Sequence, residues 1–569
     1  MATSLSHSRP TLDLVPSSNE KRTYAGLALF IFFVALGFFT VALDGPPRPL
    51  SEQVPASEFS AARAMTHLSV IAHAPHPVNS AQHDLVRDYI TSTLRTTGLE
   101  FQVQTSTGVF GIQGVLENVV ARLQGSTREK AILLVAHYDS VAVSPGASDD
   151  GAAVAALLET ARALKSLPQL KRDIIFLFTD GEEKHLLGAR AFVSGHPWAA
   201  DVGIVLNFEA RGVRGPSLMF ETSDENGWLI RNFGQAVSHP FANSLSYEIY
   251  KRMPNDTDFT VFRRAGYSGL NFAFIDGLAY YHTALDSIQN IDPGSLQHHG
   301  DYLLELARAF GNTTSDNVRA QNLIYFDVLG KVLVRYSQFT ARILLGLAVV
   351  VTATVLYLGI RNGRLGIGAC LLGLLAMVIG VAVTILGTWG TSQLIFATHS
   401  HRIVAGLRYH PGLYIMAFSA LGLACAMSFY TVLARRISSV HLLVGSCLGW
   451  LSLTLAVSWY FPGGSYLFIW PLLFSLLGGL VAVVGTHSPV QRVLLVLSGV
   501  PAVLIVIPLA HKIFWAFAGG SAVIIGALLG LVVSLLIAQL ALEQMSHRWL
   551  LPVLPAAAGV ALLVAAVVL

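Results

Sequence analysis

Charge is scarce in this chain and nearly missing from one end of it. Only 12% of the 569 residues are Asp, Glu, Lys or Arg, about half the share in an ordinary soluble domain. Residues 343–569 hold nine basic residues and a single acid, Glu543, whereas residues 1–342 hold 28 basic and 33 acidic residues. The shortage excludes a wholly soluble protein and a disordered one, and its uneven distribution excludes one uniform object. Neither part carries a basic tract of the kind that draws nucleic acid, so no nucleic-acid partner is expected. Cysteine is equally rare. Cys370, Cys425 and Cys447 are the only three, all within apolar runs, so the charged part has no disulfide and must be stable through its core. No Asp, Glu, Lys or Arg is expected deep within any apolar run. That absence argues against a coupled pump or transporter, whose ion paths need such groups.

What is present is apolar length. The run 24–43 follows Lys21 and Arg22, and its twenty residues cover about 30 Å, the thickness of a bilayer core. It is too long for a signal-peptide core and no small-x-small site follows it closely, so it reads as an uncleaved anchor. Eight further runs fall at 342–360, 365–387, 411–433, 439–459, 464–485, 491–510, 514–540 and 549–568, for nine spans in all. With the N-terminus inside, Arg361, Arg364, Arg435, Arg436, Arg492 and Arg548 lie in cytoplasmic loops, as the positive-inside rule requires. Arg402, Arg408 and Lys512 fall in outer loops, a minority. The chain therefore divides into a cytoplasmic tail (1–23), an anchor (24–43), an exported domain (44–336) and an eight-span region (337–569). A multi-pass membrane protein in contact with lipid follows, its globular domain extracytoplasmic, or lumenal in a eukaryote. Its oligomeric state stays open.

Within the exported part, 44–56 reads as a Pro-containing linker. Helical patterns cover 57–72, 80–97, 150–166, 187–194, 225–238, 258–265 and 295–312. Strand patterns cover 99–105, 115–123, 131–137, 173–179, 202–208, 218–221 and 270–275. Runs such as AILLVA and IIFLF are continuously apolar, the mark of strands buried on both faces. The expected fold is α/β: three layers around a mostly parallel mixed sheet, beside an all-α transmembrane region.

In such sheets ligands bind beyond the carboxyl ends of the strands. Those ends carry His137-Tyr-Asp139, Asp180-Gly-Glu182-Glu183, Glu209 and His282, with Asp149-Asp150-Gly151 opening a helix between the first two. Singly, each has a bland reading as a loop residue, a solvated helix start or an N-cap. Together, so many imidazoles and carboxylates at one sheet edge would be costly without cations. His and carboxylate ligands suit zinc, and two metals about 3.5–4 Å apart can share a carboxylate and a water. Asp149, on its tight turn, suits the shared position. Asp139 can orient His137. Glu182 and Glu183 diverge, so one can ligate while the other remains a base. His185, His196, His298 and His299 read as surface histidines. Arg211, Asp256 and Asp258 are weaker candidates for the substrate side.

The segments AHYDSV…SPGASDDGAA, FLFTDGEEKHLLGARAF, VLNFEARG and YYHTALDSIQNID together resemble metallopeptidase family twenty-eight, the co-catalytic zinc aminopeptidases, over residues 57–312. The anchor, the eight later spans and PNDTDF at 254–259 resemble its membrane branch, the endoplasmic-reticulum metallopeptidase and vacuolar membrane protease group. The resemblance implies a hydrolase with two zinc ions acting on peptides. Asp149 would bridge the metals, His137 and Glu209 complete one site, and Glu183 and His282 the other. Glu182 would be the base that activates the metal-bridging water, Asp139 would support His137, and Asp149-Asp150 would be a cis peptide. Soluble aminopeptidases have Asp at the position of Glu209, and the C-terminal lumenal domain common in the membrane branch does not follow the last span. A membrane-anchored aminopeptidase is the leading expectation. A single-zinc glutaminyl cyclase-like transferase and a catalytically inactive receptor or assembly factor stay open as alternatives.

Overall fold

The continuously apolar runs do form central strands. The computed structural model describes residues 18–107, 114–315, 317–485, 488–517 and 522–568, so most of the expected tail lies outside the described residues. After helix α1 (Ser18–Leu43) come α2 (Ala61–Ile71) and α3 (Ala81–Thr97), then strands β1 (Glu100–Thr107), β2 (Val115–Leu123) and β3 (Ala131–His137). A turn at Ala147–Ala152 leads into α4 (Ala153–Lys165), followed by β4 (Ile174–Thr179), α5 (Leu187–Gly195), β5 (Val202–Ala210) and β6 (Leu218–Thr222). Then come α6 (Gly227–Ala236), α7 (Ser244–Tyr250), α8 (Asp258–Arg264), β7 (Ser268–Phe274) and α9 (Pro293–Gly311).

The seven strands form one sheet in the order β1-β2-β4-β3-β5-β7-β6. Its middle, β4-β3-β5-β7, is parallel, and the outer pairings are antiparallel. Alternate residues of the central strands face opposite layers. Ile132, Leu134 and Ala136 pack with residues of α2, α4 and α9. Leu133 and Val135 pack with Ala189 and Phe192 of α5 and with Phe259 and Phe262 of α8. The fold is thus the three-layer α/β sandwich that the composition of the strands required.

Two elements went unread in the sequence: α7, and a hairpin of β8 (Leu323–Val328) and β9 (Val332–Ser337). Leu329 and Gly330 both take positive φ at its tip, the conformation of a tight hairpin turn. The hairpin leads directly into the membrane region, where Phe326 stacks on Tyr466 at 4.6 Å.

That region comprises α10 (Gln338–Arg361), α11 (Ile367–Tyr409), α12 (Pro411–Leu433), α13 (Ser439–Tyr460), α14 (Tyr466–Val484), α15 (Pro489–Ala516), α16 (Ala522–Leu540) and α17 (Leu550–Val568). With α1, nine described helices are long and apolar enough to span a bilayer. Small residues bring them close: a Cβ on Gly445 of α13 would lie 2.4 Å from the backbone of Gly373 of α11.

Two boundaries differ from the sequence reading. The α11 helix continues to Tyr409, so Arg402 and Arg408 belong to a helix rather than a loop; their side chains lie outside the described residues. The α15 helix continues to Ala516, which places Lys512 inside a helix. The cation is accommodated there because Asp44 (3.2 Å) and Asp327 of β8 (3.5 Å) neutralise it and the Phe241 ring lies 3.7 Å away. Burial pushes Asp44 up to about 6 despite this lysine.

Candidate active site

The four parallel strands end on one edge, and each delivers a side chain there. His137 is the last residue of β3, Glu182 and Glu183 follow β4, Glu209 is next to last in β5, and His282 stands eight residues after β7. Asp149 sits on the turn before α4. The carboxylate of Asp286, almost fully buried, accepts hydrogen bonds from the N–H groups of Ser148 (2.7 Å) and Asp149 (3.2 Å) and so holds that turn. The Asp149–Asp150 peptide is cis.

The two oxygens of Asp149 serve two clusters. Oδ1 lies 3.2 Å from His137 Nε2, which is 3.7 Å from Glu209 Oε2. Oδ2 lies 3.0 Å from His282 Nε2, which is also 3.0 Å from Glu183 Oε1. In each triad, His137-Asp149-Glu209 and Asp149-Glu183-His282, the candidate ligand atoms all lie within 4.8 Å of one another. The structure therefore brings together all five residues expected to bind metal, with Asp149 common to both groups.

Asp139 stands against His137, as expected, and has a second role. His137 Nδ1 is nearer the Asp139 backbone carbonyl (2.9 Å) than its carboxylate (3.5 Å). The carboxylate also accepts the N–H of Glu182 (3.0 Å) and of Glu183 (3.3 Å), fixing the turn that presents both glutamates. For the Glu182 carboxylate, no hydrogen bond or ion pair is found among the described residues.

The electrostatics show what the cluster needs. Burial pushes Glu209 up to about 8 and Glu182 well above the usual carboxylate range, with neighbouring acids adding to both. Burial also opposes the charge of Asp149, but hydrogen bonds from His137 and His282 hold it at about 2. Burial disfavours a proton on His282, yet Asp149 and Glu183 raise it to about 9. Protons thus supply the positive charge that the crowded acids require. Asp149 Oδ2, Glu183 Oε1 and His282 Nε2 are moreover buried and converge on one point, with no well-aligned hydrogen bond and only one another as neighbours within ion-pair distance. Three converging ligand atoms of these types fit a divalent cation.

Other expected residues fall elsewhere. His185 is exposed, as expected, but His298 and His299 are fully buried and His196 nearly so. His299 Nε2 bonds the Glu209 carbonyl (3.0 Å), and His298 Nδ1 accepts the Ser217 N–H (3.1 Å). Both lie on the inward stripe of α9, where burial lowers His298 to about 3. Asp258 is buried beneath the site and accepts from Thr179 Oγ1 (2.5 Å), whereas Asp256 is exposed and pairs with Arg264. Arg211 is half-buried, with no ion pair among the described residues. The sequence reading missed Asp286, although it stands four residues after His282 in the same motif, HTALD.

Paired His/carboxylate triads at the strand ends of a three-layer α/β fold have the form of a candidate two-metal centre. More narrowly, residues 118–307 match Peptidase family M28, and this part of the chain is a domain of that family. The chain is 32% identical over 330 residues to endoplasmic reticulum metallopeptidase 1 of Mus musculus, covering 53% of this chain and 36% of the relative. It is 37% identical over 239 residues to the vacuolar membrane protease of Candida albicans (strain SC5314), covering 41% and 28%. The chain thus spans only about a third of the length of these curated relatives. Among solved structures, a Porphyromonas gingivalis glutaminyl cyclase aligns with 24% identity and a TM-score of 0.37, covering 44% of this chain and 99% of that one.

Proposed function

We propose that the protein is a membrane-anchored zinc exopeptidase, an aminopeptidase that removes N-terminal residues from peptides on the non-cytoplasmic side. The observation that carries the reading is the pair of donor triads sharing Asp149 beside the unengaged carboxylate of Glu182. Two zinc ions, held by His137, Asp149 and Glu209 and by Asp149, Glu183 and His282, would supply Lewis acidity and a nucleophile at neutral pH. Glu182 then serves as general base and returns the proton to the leaving amine; its raised proton affinity suits both roles. Asp139 holds Glu182 in place through the backbone, and Asp286 does the same for Asp149. Two triads, where a cyclase would need one, favour the peptidase.

Sidedness is supported by contacts at the two ends of the bundle. On the end away from the peptidase domain, Arg364 bonds the carbonyls of Ala482 and Gly485, Arg435 lies over the Trp549 ring, and Thr23 bonds Ser546. That end carries the arginines of the short loops, which supports the reading that it faces the cytoplasm.

The test is hydrolysis of aminoacyl-arylamides and short peptides by the full chain, with and without chelator, for wild type and Glu182→Gln. Loss of a general base lowers turnover by roughly 10²–10⁴-fold. Unchanged hydrolysis in the variant would refute the mechanism, and cyclisation of N-terminal glutamine without peptide cleavage would refute the reaction class.

A further inference from the structure

Three polar side chains lie where a sheet interior should be apolar. Asn207 of β5, Asn271 of β7 and Glu221 of β6 are directly paired across the sheet and are at most 1% exposed. Asn207 Nδ2 donates to Glu209 Oε1 (3.1 Å) and to Asn271 Oδ1 (3.0 Å). Asn271 Nδ2 donates to Glu221 Oε2 (3.0 Å) and to Thr257 Oγ1 (2.9 Å). Glu221 Oε1 is 3.1 Å from Arg263 Nε at the far end. Each amide has one possible orientation in this chain. Ionised against Arg263, Glu221 accepts only, so Asn271 turns its NH₂ towards it and its oxygen towards Asn207. Asn207 must then donate in both directions, and its own Oδ1 is left buried without a hydrogen-bond partner. A buried oxygen left unsatisfied is costly and calls for a reason.

We propose that Asn207 and Asn271 are positioning residues that hold Oε1 of Glu209, leaving Oε2 alone to complete the His137 metal position. This rests on the reading of Glu209 as a metal ligand. A glutamate has one more rotatable bond than an aspartate, and the ladder removes that freedom: Oε1 is occupied and Oε2 points towards His137. The orientation is transmitted from Arg263 through four side chains on three adjacent strands, none of which touches the centre except Glu209. The ladder therefore acts on one metal position and leaves the other, built by Glu183 and His282, untouched.

The test is zinc titration against a competing chelator, using the full chain in detergent, with thermal melting measured in parallel. Wild type is expected to bind two ions. Asn207→Leu and Asn271→Leu are expected to weaken one ion by roughly 10–100-fold, the range for outer groups that orient a ligand, and to leave the other unchanged. Glu221→Gln, which can still accept from Asn271, is expected to behave as wild type. In a Glu209→Gln background the effect of Asn207→Leu should vanish, which a general loss of packing would not produce. Asn207→Ser provides a smaller perturbation if the leucine variants do not fold. Folded variants that bind both ions as wild type does would overturn the ladder's role while leaving the metal site intact. Equal weakening of both ions would also overturn it. A wild-type chain that binds no zinc would overturn the metal reading beneath it.

Discussion

The peptidase domain and the membrane bundle both bury polar groups, but they gather them differently: scattered through the bundle, converging at the strand ends of the domain. In the bundle, the hydroxyls of Thr352, Thr384 and Thr454 donate to carbonyls four residues back in their own helices. Trp450 Nε1 finds Ser534 Oγ at 3.3 Å on a neighbouring helix. Much of the polarity there is settled within a helix or between neighbouring helices, as a medium without water favours, although Tyr414, Thr431 and Ser475 bury hydroxyls without a hydrogen-bond partner among the described residues. At the strand ends of the peptidase domain, ligand-type atoms converge on shared points, and burial makes Glu182 and Glu209 hold protons they would normally lose. The contrast separates polarity that completes a scaffold from polarity held open for a ligand.

The largest expected effect comes from removing the shared carboxylate. Asp149→Asn should abolish binding of both ions and cost at least the 10²–10⁴-fold of a lost base, read by metal content and peptide hydrolysis. If one ion stays bound at wild-type affinity, the two triads are independent and the comparison needs redrawing. Metal loading should itself depend on pH, because ions must displace protons from His282 and Glu209. With Glu209 near 8 and His282 near 9 in the free protein, affinity should fall steadily as pH is lowered from about 9. Chelator competition at several pH values measures the slope.

Next in size is the junction between the two regions. Lys512→Met leaves Asp44 and Asp327 facing each other without a cation. The cost should approach, without reaching, the roughly 3–5 kcal/mol of a fully buried pair, since the lysine side chain retains 14% exposure. Earlier cleavage of the 44–56 linker by added protease would report it, and unchanged protease resistance would show that the cluster does not hold the regions together.

A smaller effect concerns His298. Its folded-state value of about 3 lies below the unfolded value of about 6.5, so the unfolded chain binds more protons between those limits. Stability is therefore full above pH 6.5 and lost as pH falls towards 3. The melting temperature of wild type should drop more between pH 7.5 and pH 5 than that of His298→Gln. Smallest of all, Thr352→Val should cost less than about 1 kcal/mol in thermal or denaturant unfolding, because its hydroxyl bonds only the Ala348 carbonyl of its own helix.

What could be read in the sequence followed the same division. Strands such as AILLVA declared themselves because burial on both faces erases alternation, and His137, Glu182, Glu183 and Glu209 declared themselves because they stand at or just beyond the ends of such runs. The ladder residues did not, since a lone Asn in an apolar strand looks like noise. Their signal was the tripeptide Leu-Asn-Phe, present at 206–208 and again at 270–272. His298 and His299 were misread because side-chain type was weighed above position on the helix. The β8–β9 hairpin was hidden by the apolar run beginning immediately after it. Lys512 looked like a loop residue because its partners, Asp44 and Asp327, are distant in the chain and only folding brings them near.

The peptidase domain is attached at both ends. It leaves α1 at Leu43 and returns to α10 after Ser337, while α1 packs on α15 and α16, and α10 on α13 and α14. Undocking it would open a loop without releasing a partner. Held this way, its contacts with the bundle act at an effective concentration in the millimolar range, so even the single hydrogen bond from Ser244 Oγ to the Gly463 carbonyl, 2.6 Å, works without paying for encounter. The seat of the enzyme on its membrane base is a matter of chain connectivity first and of affinity second, and dilution cannot loosen it.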